Sequence, residues 1–387
     1  MIRKKILFIN GHMRYGGIER SLLDVLRNLD YEKYEIDLLL IEGKGDYFKE
    51  IPPQVNIIYK DLNNTYGPFL NSIVNSLKRK DLLSLFTRFI FLGKKVIDPS
   101  FLKFLRIPLL GNKYYDFAIG YRTGICTDII QYTVKANKKA TWWHHGMINL
   151  SEKQLKEFEQ ISHHLKNIVV VSESCEKMLV EAKPFIKNYI TIIPNMVDDE
   201  CINQKALEFT PNYAPKKLHF VTACRISPEK HVENIIFASE ILLKKGFSDF
   251  QWHLIGDGDD FEKLQTVVKD KSMSEHVIFE GKKENPYPYM KKGDLYIHTS
   301  YVESQGLSIL EAMALNVPCI ITDNEGIRDF ANINNSIIVN QDADHLANAI
   351  LEIVNNKEKY NLLKLNTKCP DRFAAISIIK KIEQFLS

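Results

Sequence analysis

The stretch that decides the fold covers residues 295–322 and reads LYIHTSYVESQGLSILEAMALNVPCIIT. It opens with an apolar run of strand length, residues 295–299, and closes with another, residues 318–322. Between them, Gly306 precedes a segment with helical periodicity. Because both runs are continuously apolar rather than alternating, they indicate parallel strands that helices cover on both faces.

The same alternation of strand-length runs and amphipathic stretches continues through both halves of the chain. Repeated twice, it predicts an α/β fold of two doubly wound, Rossmann-like domains. The runs in the first half cover residues 5–10, 35–41, 117–121, 140–143, 167–171 and 189–193. Those in the second half cover residues 218–223, 252–255, 277–280, 295–299, 318–322 and 336–339.

A turn-rich stretch from Pro194 to Asp198 separates the two halves. The predicted domains are therefore residues 1–195 and residues 196–370, and a length of 387 residues suits two domains of ordinary size. Residues 371–387 form a predicted amphipathic helix at the C-terminus.

The composition is that of a globular protein, with 45% hydrophobic and 26% charged residues. A formal net charge of only +3 argues against nucleic acid as a partner. The six cysteines are scattered without a CxxC pair, which favours reduced thiols in the cytoplasm over disulfides or a metal site. No run reaches the ~18 apolar residues of a membrane span. The polar stretch from Asn10 to His12 interrupts the first apolar run too early for a signal peptide.

Residues 78–113 depart from this pattern because they carry nine Lys or Arg against two Asp, interleaved with large apolar side chains. Such a mixture suits an anionic membrane surface, so the segment predicts peripheral association with the inner face of the cell membrane. The alternative is a helix pair packed on the domain with solvated lysines. The cations that would meet the membrane or the acceptor are Lys78, Arg79, Lys80, Lys94 and Lys95.

Two cations follow the first strand of the second half. Arg225 and Lys230 lie after residues 218–223, at the edge where open α/β sheets bind ligands. Together they can neutralise a diphosphate, the arginine as a fork and the lysine as a point charge. Ser227 and Pro228 between them predict the cap and first turn of a helix. The alternative is a surface loop with ordinary charges.

The strongest local signal is the glutamate pair of the opening stretch. Gly306 lets the backbone approach a ligand closely, and a helix beginning at Leu307 or Ser308 would turn its free N–H groups toward an anion. Glu311 lies about one turn into that helix, within reach of ribose hydroxyls beside the anion. Glu303 lies before the helix, nearer a sugar. The simpler explanation of Glu311 is an acid favoured by the helix dipole.

The first half adds a glycine pair and a histidine pair. Gly16 and Gly17 stand before a predicted helix at residues 19–29, where they also allow close approach to a phosphate. Two adjacent glycines are nonspecific, and the GxGxxG fingerprint is absent. His144 and His145 end another strand and could donate hydrogen bonds to a sugar, or form a structural or weakly metal-binding pair. Because no further ligands accompany them in a recognisable spacing, no metal is expected.

These motifs together resemble glycosyltransferase family 4, the retaining enzymes of the GT-B fold, in which two Rossmann-like domains face a central cleft. The resemblance spans nearly the whole chain except residues 60–113, and its most specific part is the Glu-x7-Glu block from Glu303 to Glu311. The other matching segments are Gly16 to Glu19, Tyr115 to Phe117, the Trp-His segment 142–146, Ile193 to Asp198, Arg225 to Lys230, Leu254 to Gly258 and Asn285 to Tyr287.

The resemblance implies roles for the residues already singled out. Arg225 and Lys230 would hold the diphosphate of a nucleotide-sugar donor. Glu311 would bind its ribose, and Glu303 would contact the transferred sugar. The family needs no metal, and its final helix crosses back to the first domain. The further implied contacts with phosphate or sugar come from the backbone at Gly306, Leu307 and Ser308, from Gly17 in the opposite domain, and from one of His144 and His145.

The expected activity is therefore retaining transfer of a hexosyl or N-acetylhexosaminyl group from a nucleotide sugar to a glycan. A lipid-linked acceptor in capsule or O-antigen synthesis is the expected setting. Cys224 and Ser304 replace glycines that are usual in the family, so the sugar preference is not transferred. Two alternatives remain open, a sugar-nucleotide epimerase of the same fold and a non-catalytic nucleotide-sugar-binding protein. The sequence contains no convincing acid/base pair for the first, and the intact phosphate and ribose groups argue against the second.

Overall fold

The computed structural model describes residues 2–60, 110–145, 159 and 165–387. Strands and helices alternate throughout this part of the chain. The strands are β1 (Lys4–Asn10), β2 (Tyr34–Leu40), β3 (Asn56–Tyr59), β4 (Tyr115–Gly120), β5 (Ala136–Trp143), β6 (Ile168–Val170), β7 (Ile190–Ile192), β8 (Leu218–Ala223), β9 (Phe250–Ile255), β10 (Val277–Gly281), β11 (Leu295–His298), β12 (Cys319–Thr322) and β13 (Ile337–Val339). The α-helices are α1 (Gly17–Asn28), α2 (Ile125–Tyr132), α3 (Glu173–Ala182), α4 (Asp199–Lys205), α5 (Glu233–Lys244), α6 (Phe261–Asp270), α7 (Tyr287–Lys292), α8 (Leu307–Ala314), α9 (Ala343–Asn355), α10 (Lys357–Asn366) and α11 (Ala375–Leu386).

The first seven strands form one parallel sheet in the order β3-β2-β1-β4-β5-β6-β7. The interior strand β1 lies in register between β2 and β4, so that Phe8 stands opposite both Leu38 and Ile119. All three side chains are buried, as strands covered on both faces require. The predicted runs correspond to six of these strands with shifted ends. The edge strand β3 was missed, because only its two central residues, Ile57 and Ile58, are apolar aliphatic and neither is fully buried.

The second sheet is also parallel and has the order β10-β9-β8-β11-β12-β13. From β8 the chain proceeds outward through β9 and β10 and then returns to place β11 on the other side of β8. The pair meets where Phe220 stands opposite Leu295 and Val221 opposite Tyr296. This reversal is the switch point at which open α/β sheets bind ligands, outside the carboxyl ends of the strands. The loops after β8 and β11 therefore open toward the same space.

Two segments cross between the sheets. Val197, after β7, forms an isolated parallel bridge with Ala374, immediately before α11. Helix α11 then packs on the first sheet, where Ile378 and Ile382 are fully buried in the core that includes β1. Lys4 donates from Nζ to the carbonyl of Leu386 at 3.1 Å. The C-terminal helix thus belongs structurally to the first domain.

One local prediction about the phosphate loop is wrong. Pro228 begins only a single 3-10 turn, and Ser227 makes no capping hydrogen bond to it. The turn ends at His231, whose left-handed φ of 48° interrupts helical geometry, and α5 begins at Glu233. Lys230 is therefore held on a turn.

No described helix combines the length and the apolar character that a membrane crossing requires. The predicted membrane-facing cations lie outside the described residues: Lys78, Arg79, Lys80, Lys94 and Lys95.

Candidate active site

Two loops of the second domain meet beyond the carboxyl ends of β8 and β11. The backbone N–H of Tyr301 donates to the carbonyl of Glu229 at 3.1 Å. The Thr299 hydroxyl donates to the carbonyl of Lys230 at 2.9 Å. These bonds hold the predicted phosphate loop beside the predicted glutamate segment.

An ion pair between Lys230 and Glu303 joins these two loops. Lys230 Nζ is 2.5 Å from Glu303 Oε1, and His298 Nε2 is 2.6 Å from the same oxygen. Burial opposes ionisation of Glu303, but Lys230 and His298 outweigh it and hold the pKa of this carboxyl well below its usual range. Burial likewise opposes the charge on Lys230, yet the Glu303 carboxylate raises the pKa of the ammonium. Both groups are therefore charged at neutral pH.

The N-terminus of α8 follows Glu303 closely. Gly306 caps this helix with a φ of 66°, a left-handed conformation that favours glycine. A Cβ at that position would also stand 2.9 Å from Ile309 Cδ1. The N–H groups of Leu307 and Ser308 have no acceptor one turn earlier in the helix, so they can bind an anion at this end of α8.

Glu311 lies about one turn into α8 and is bound by Tyr287 of α7. The Tyr287 hydroxyl donates to Glu311 Oε1 at 2.7 Å. Burial raises the pKa of Glu311, while Arg20 of the first domain and this hydrogen bond oppose the shift. Burial also raises the pKa of Tyr287 well above its usual value, so its hydroxyl stays protonated and remains a donor. The carboxylate is thereby fixed in orientation.

The first domain reaches this site through α1. The Arg20 guanidinium lies 5.8 Å from the centre of the Tyr287 ring, and Arg20 Nε donates to Asp24 Oδ2 at 3.1 Å. Burial raises the pKa of Asp24 to about 7, although Arg20 opposes the shift, and Glu311 adds to it. One arginine is thus enclosed with two carboxylates from opposite domains, and Asp24 titrates near neutral pH.

The predicted glycine pair lies at the N-terminus of α1. Gly16 occupies the cap position, where a Cβ would stand 2.5 Å from Glu19 Oε2. A Cβ on Gly17 would meet nothing within 4 Å. Internal packing therefore does not account for Gly17, and the space beside it is open to a ligand.

The two histidines occupy different environments. His144 is buried against Tyr121, with ring centroids 4.9 Å apart. Burial lowers the pKa of His144 to about 3, and neighbouring His145 adds to the shift, so the His144 ring is neutral. His145 is half-buried, and its pKa is lowered by burial and then by Arg122 and Arg225. His145 is thus the less enclosed of the two rings and is within electrostatic range of cations from both domains; which histidine lies next to a sugar stays a prediction.

Arg225 differs from Lys230 in being unengaged. Its side chain is exposed, and within the described ranges it has no hydrogen bond or ion pair. Its guanidinium can therefore bind an anion without first leaving a partner. The described residues also contain no group of three or more His, Cys, Asp or Glu side chains that could hold a metal ion. Metal independence itself stays a prediction.

Sequence reasoning missed several residues that shape the site. The one feature of the sequence that points to His298 is its position at the end of an apolar strand. No feature of the sequence indicates that Arg20 contacts the other domain. Gln305 is buried, and its amide bonds the N–H of Asn195 at 2.7 Å and the Asn195 carbonyl at 2.9 Å. Asn195 Oδ1 in turn accepts from the Ser21 hydroxyl at 2.6 Å. The turn before α8 is thus tied to the crossover segment and to α1.

The chain is similar to several known proteins. The family model described as "Glycosyl transferases group 1" matches residues 203–368, which carry both loops. The chain is 32% identical over 152 residues to the poly(ribitol-phosphate) alpha-N-acetylglucosaminyltransferase of Staphylococcus aureus, covering 37% of this chain and 30% of that relative. It is 25% identical over 317 residues to the N-acetylgalactosamine-N,N'-diacetylbacillosaminyl-diphospho-undecaprenol 4-alpha-N-acetylgalactosaminyltransferase of Campylobacter jejuni, covering 80% of this chain and 78% of that relative.

Among solved structures, that of Anabaena HepE in complex with UDP and glucose is similar over 99% of both chains, with a TM-score of 0.72 and 17% identity. At this identity the likeness establishes the fold alone. It confirms the predicted GT-B architecture of two Rossmann-like domains facing a cleft. The alignment with the staphylococcal relative spans under a third of that protein's length, so the match assigns no activity by itself.

Proposed function

We propose that this protein is a retaining, metal-independent glycosyltransferase that moves a hexosyl or N-acetylhexosaminyl group from a nucleotide-diphosphate sugar to a glycan. The observation that carries the proposal is the arrangement around α8. The Lys230–Glu303 ion pair lies on one side of its N-terminus, and the Tyr287–Glu311 hydrogen bond lies one turn along it. A cation, a helix N-terminus and a second carboxylate suit the diphosphate and ribose of such a donor.

Each group has a defined task in the proposed reaction. Arg225 and Lys230, with the free N–H groups of α8, stabilise the diphosphate that leaves with the bonding electrons as the glycosidic bond breaks. The acceptor hydroxyl attacks the anomeric carbon from the face that the diphosphate leaves, and the departing phosphate takes its proton. Glu303 contacts the transferred sugar, and Glu311 holds the ribose hydroxyls. Retention itself rests on the family resemblance.

The first domain completes the proposed site. The open space beside Gly17 leaves room for the diphosphate, and the charge of Arg225 in the second domain contributes to the lowered pKa of His145. Because burial keeps His145 neutral at physiological pH, its ring can donate one hydrogen bond to a sugar hydroxyl without adding charge.

Uridine diphosphate is the proposed leaving group, since HepE shares the fold over the full chain and was solved with UDP and glucose. The names of two relatives include phosphate-containing acceptors, a poly(ribitol-phosphate) and a diphospho-undecaprenol. We therefore propose a lipid-linked glycan as the acceptor, in the synthesis of a cell-surface polymer such as a capsule or O-antigen.

A thermal-shift screen of UDP, GDP, ADP and dTDP sugars tests the donor site. A ligand of the native state at about 100 times its Kd raises the free energy of unfolding by about 2.7 kcal/mol. We expect UDP sugars to raise Tm. We also expect the anomeric carbon of the transferred sugar to keep its configuration, which the signal of the anomeric proton in the NMR spectrum of the product reports. A protein that no nucleotide sugar stabilises contradicts the proposal.

The same experiments separate the two alternatives. An epimerase would convert the sugar nucleotide into its epimer without an acceptor. A binding protein would return the sugar nucleotide intact under every condition. We expect instead the release of UDP, at an unchanged rate when EDTA is present.

Membrane association is proposed from the charge of residues 78–113 alone. Sedimentation with vesicles that contain anionic lipid tests it, with vesicles of neutral lipid as the control. Equal binding by the wild type and by a charge-neutralised variant removes this part of the proposal. That variant replaces Lys78, Arg79, Lys80, Lys94 and Lys95 with glutamine.

A further inference from the structure

His298 is the last residue of β11 and is only 2% exposed. Its Nε2 lies 2.6 Å from Glu303 Oε1. Nothing in the sequence assigned it a role, and the proposed reaction does not use it directly. Yet it touches the carboxylate that is proposed to contact the transferred sugar.

The hydrogen bond has a defined direction. His298 Nδ1 is buried and has no partner. A proton on Nδ1 would therefore leave a buried N–H unsatisfied, which is costly. The tautomer that leaves no buried N–H without an acceptor carries its proton on Nε2. In that tautomer the Nε2–H group donates a hydrogen bond to Glu303 Oε1.

The Glu303 carboxylate is engaged on one side. Lys230 Nζ and His298 Nε2 both contact Oε1. Among the described residues, no hydrogen bond or ion pair engages Oε2. The two donors therefore hold the carboxylate by a single oxygen and leave the other for a ligand.

The two hydrogen bonds to Glu303 should respond differently when a diphosphate binds. The Lys230 ammonium lies at the end of a flexible side chain, and the negatively charged diphosphate of a nucleotide sugar would attract it. The His298 ring is held at the end of a buried strand and has no flexible chain on which it could turn toward a diphosphate. If the ammonium turns toward phosphate, His298 is the donor that stays on Glu303.

We propose that His298 is a positioning residue for Glu303, which keeps Oε2 aimed at the donor sugar while Lys230 engages the diphosphate. This inference rests on the proposed function, because it needs a sugar beside Glu303. It adds a residue that acts through Glu303 and touches neither phosphate nor ribose.

Two amide substitutions form a matched pair for the test. In His298→Gln the side-chain N–H lies near the position of Nε2, whereas in His298→Asn it lies near the position of Nδ1, too far back to reach Glu303. Both are neutral and polar, so they differ mainly in the hydrogen bond. UDP, UDP-glucose and UDP-N-acetylglucosamine are the probes, and calorimetry measures the Kd of each. The rate of UDP release is measured with the UDP sugar that the wild type prefers.

We expect all three proteins to bind UDP with Kd values within about twofold, because His298 does not contact the nucleotide. His298→Asn should lose about 10- to 100-fold in kcat and in the extra affinity that the sugar contributes, the size of a hydrogen bond to a charged group. His298→Gln should recover most of both. A merely structural role would instead change UDP binding and Tm together.

Equal losses in the two variants, or none in either, overturn the inference while the proposed function stands. A wild type that gains no affinity from the sugar overturns the proposed function and this inference with it. A crystal structure of the wild type with UDP gives a test without variants. We expect Nζ of Lys230 to move to the phosphate while His298 stays on Glu303. The reverse arrangement contradicts the inference.

Discussion

Replacement of Lys230 by methionine removes the ammonium and keeps a side chain of similar length. In the structure the ammonium is 2.5 Å from Glu303, and the two side chains are 19% and 9% exposed. Breaking a buried pair by removing one partner costs about 3–5 kcal/mol, because the other charge is left uncompensated. His298 still donates to the same oxygen, so we expect a loss near the lower limit, about 3 kcal/mol.

The same substitution should also slow the reaction. Loss of one donor to a charge that develops in the transition state costs about 10²–10³ in kcat. We therefore expect kcat/KM for the UDP sugar to fall by at least this factor in Lys230→Met. Urea denaturation measures the change in stability, and initial rates of UDP release measure the change in activity.

A double variant separates the two effects. Lys230→Met with Glu303→Gln removes both charges, so the uncompensated carboxylate is gone and most of the lost stability should return. Activity should stay low, because the phosphate has not regained its cation. Near-normal turnover by Lys230→Met refutes its assignment to the diphosphate. A single variant as stable as the wild type refutes the argument from the buried ion pair.

Three further predictions concern the neighbouring groups. Glu311→Gln should raise the donor KM about tenfold and leave kcat within a few-fold, since it weakens hydrogen bonds to ribose that are made before and during the reaction; an unchanged KM contradicts the ribose assignment. Asp24, whose pKa is raised from 3.8 to about 7, stabilises the fold at low pH, and this contribution is lost as pH rises through about 7. When the wild type and Asp24→Asn are denatured at pH values from about 4 to about 8, the free energy of unfolding should fall more steeply with pH in the wild type. Equal slopes in the two proteins contradict the raised pKa of Asp24. Arg20→Met should destabilise the protein by about 3 kcal/mol, and Arg20→Met with Asp24→Asn should restore much of that in the same denaturation assay; no recovery means that the two side chains are not coupled.

Much of the fold could be predicted because burial on both faces of a strand leaves an uninterrupted apolar run. β8 was predicted with both ends correct, and β11 with an error of one residue. The start of α8 was predictable because Gly306 marks the left-handed cap. The prediction of a helix beginning at Pro228 was wrong because His231 adopts a left-handed conformation, which no local sequence pattern indicates.

The candidate site was predictable only as separate pieces. The sequence identified Arg225 and Lys230 on one loop and the two glutamates on another, because each set follows a strand end. It did not distinguish His144 from His145. The difference between them lies in how completely the surrounding core encloses each ring and in which ring the charge of Arg225 affects, and both depend on the tertiary structure.

By itself, then, the sequence determined the two α/β domains and the loops that carry the charged residues, since burial and helix starts leave signals within a few consecutive residues. Only the tertiary structure decided that Lys230 and His298 share one oxygen of Glu303, and that Arg20 reaches Tyr287 across the cleft. Lys230 and Glu303 are 73 positions apart in the chain. Contacts at such separations follow from strand order and domain packing, which bring together side chains whose local sequences contain no information about each other.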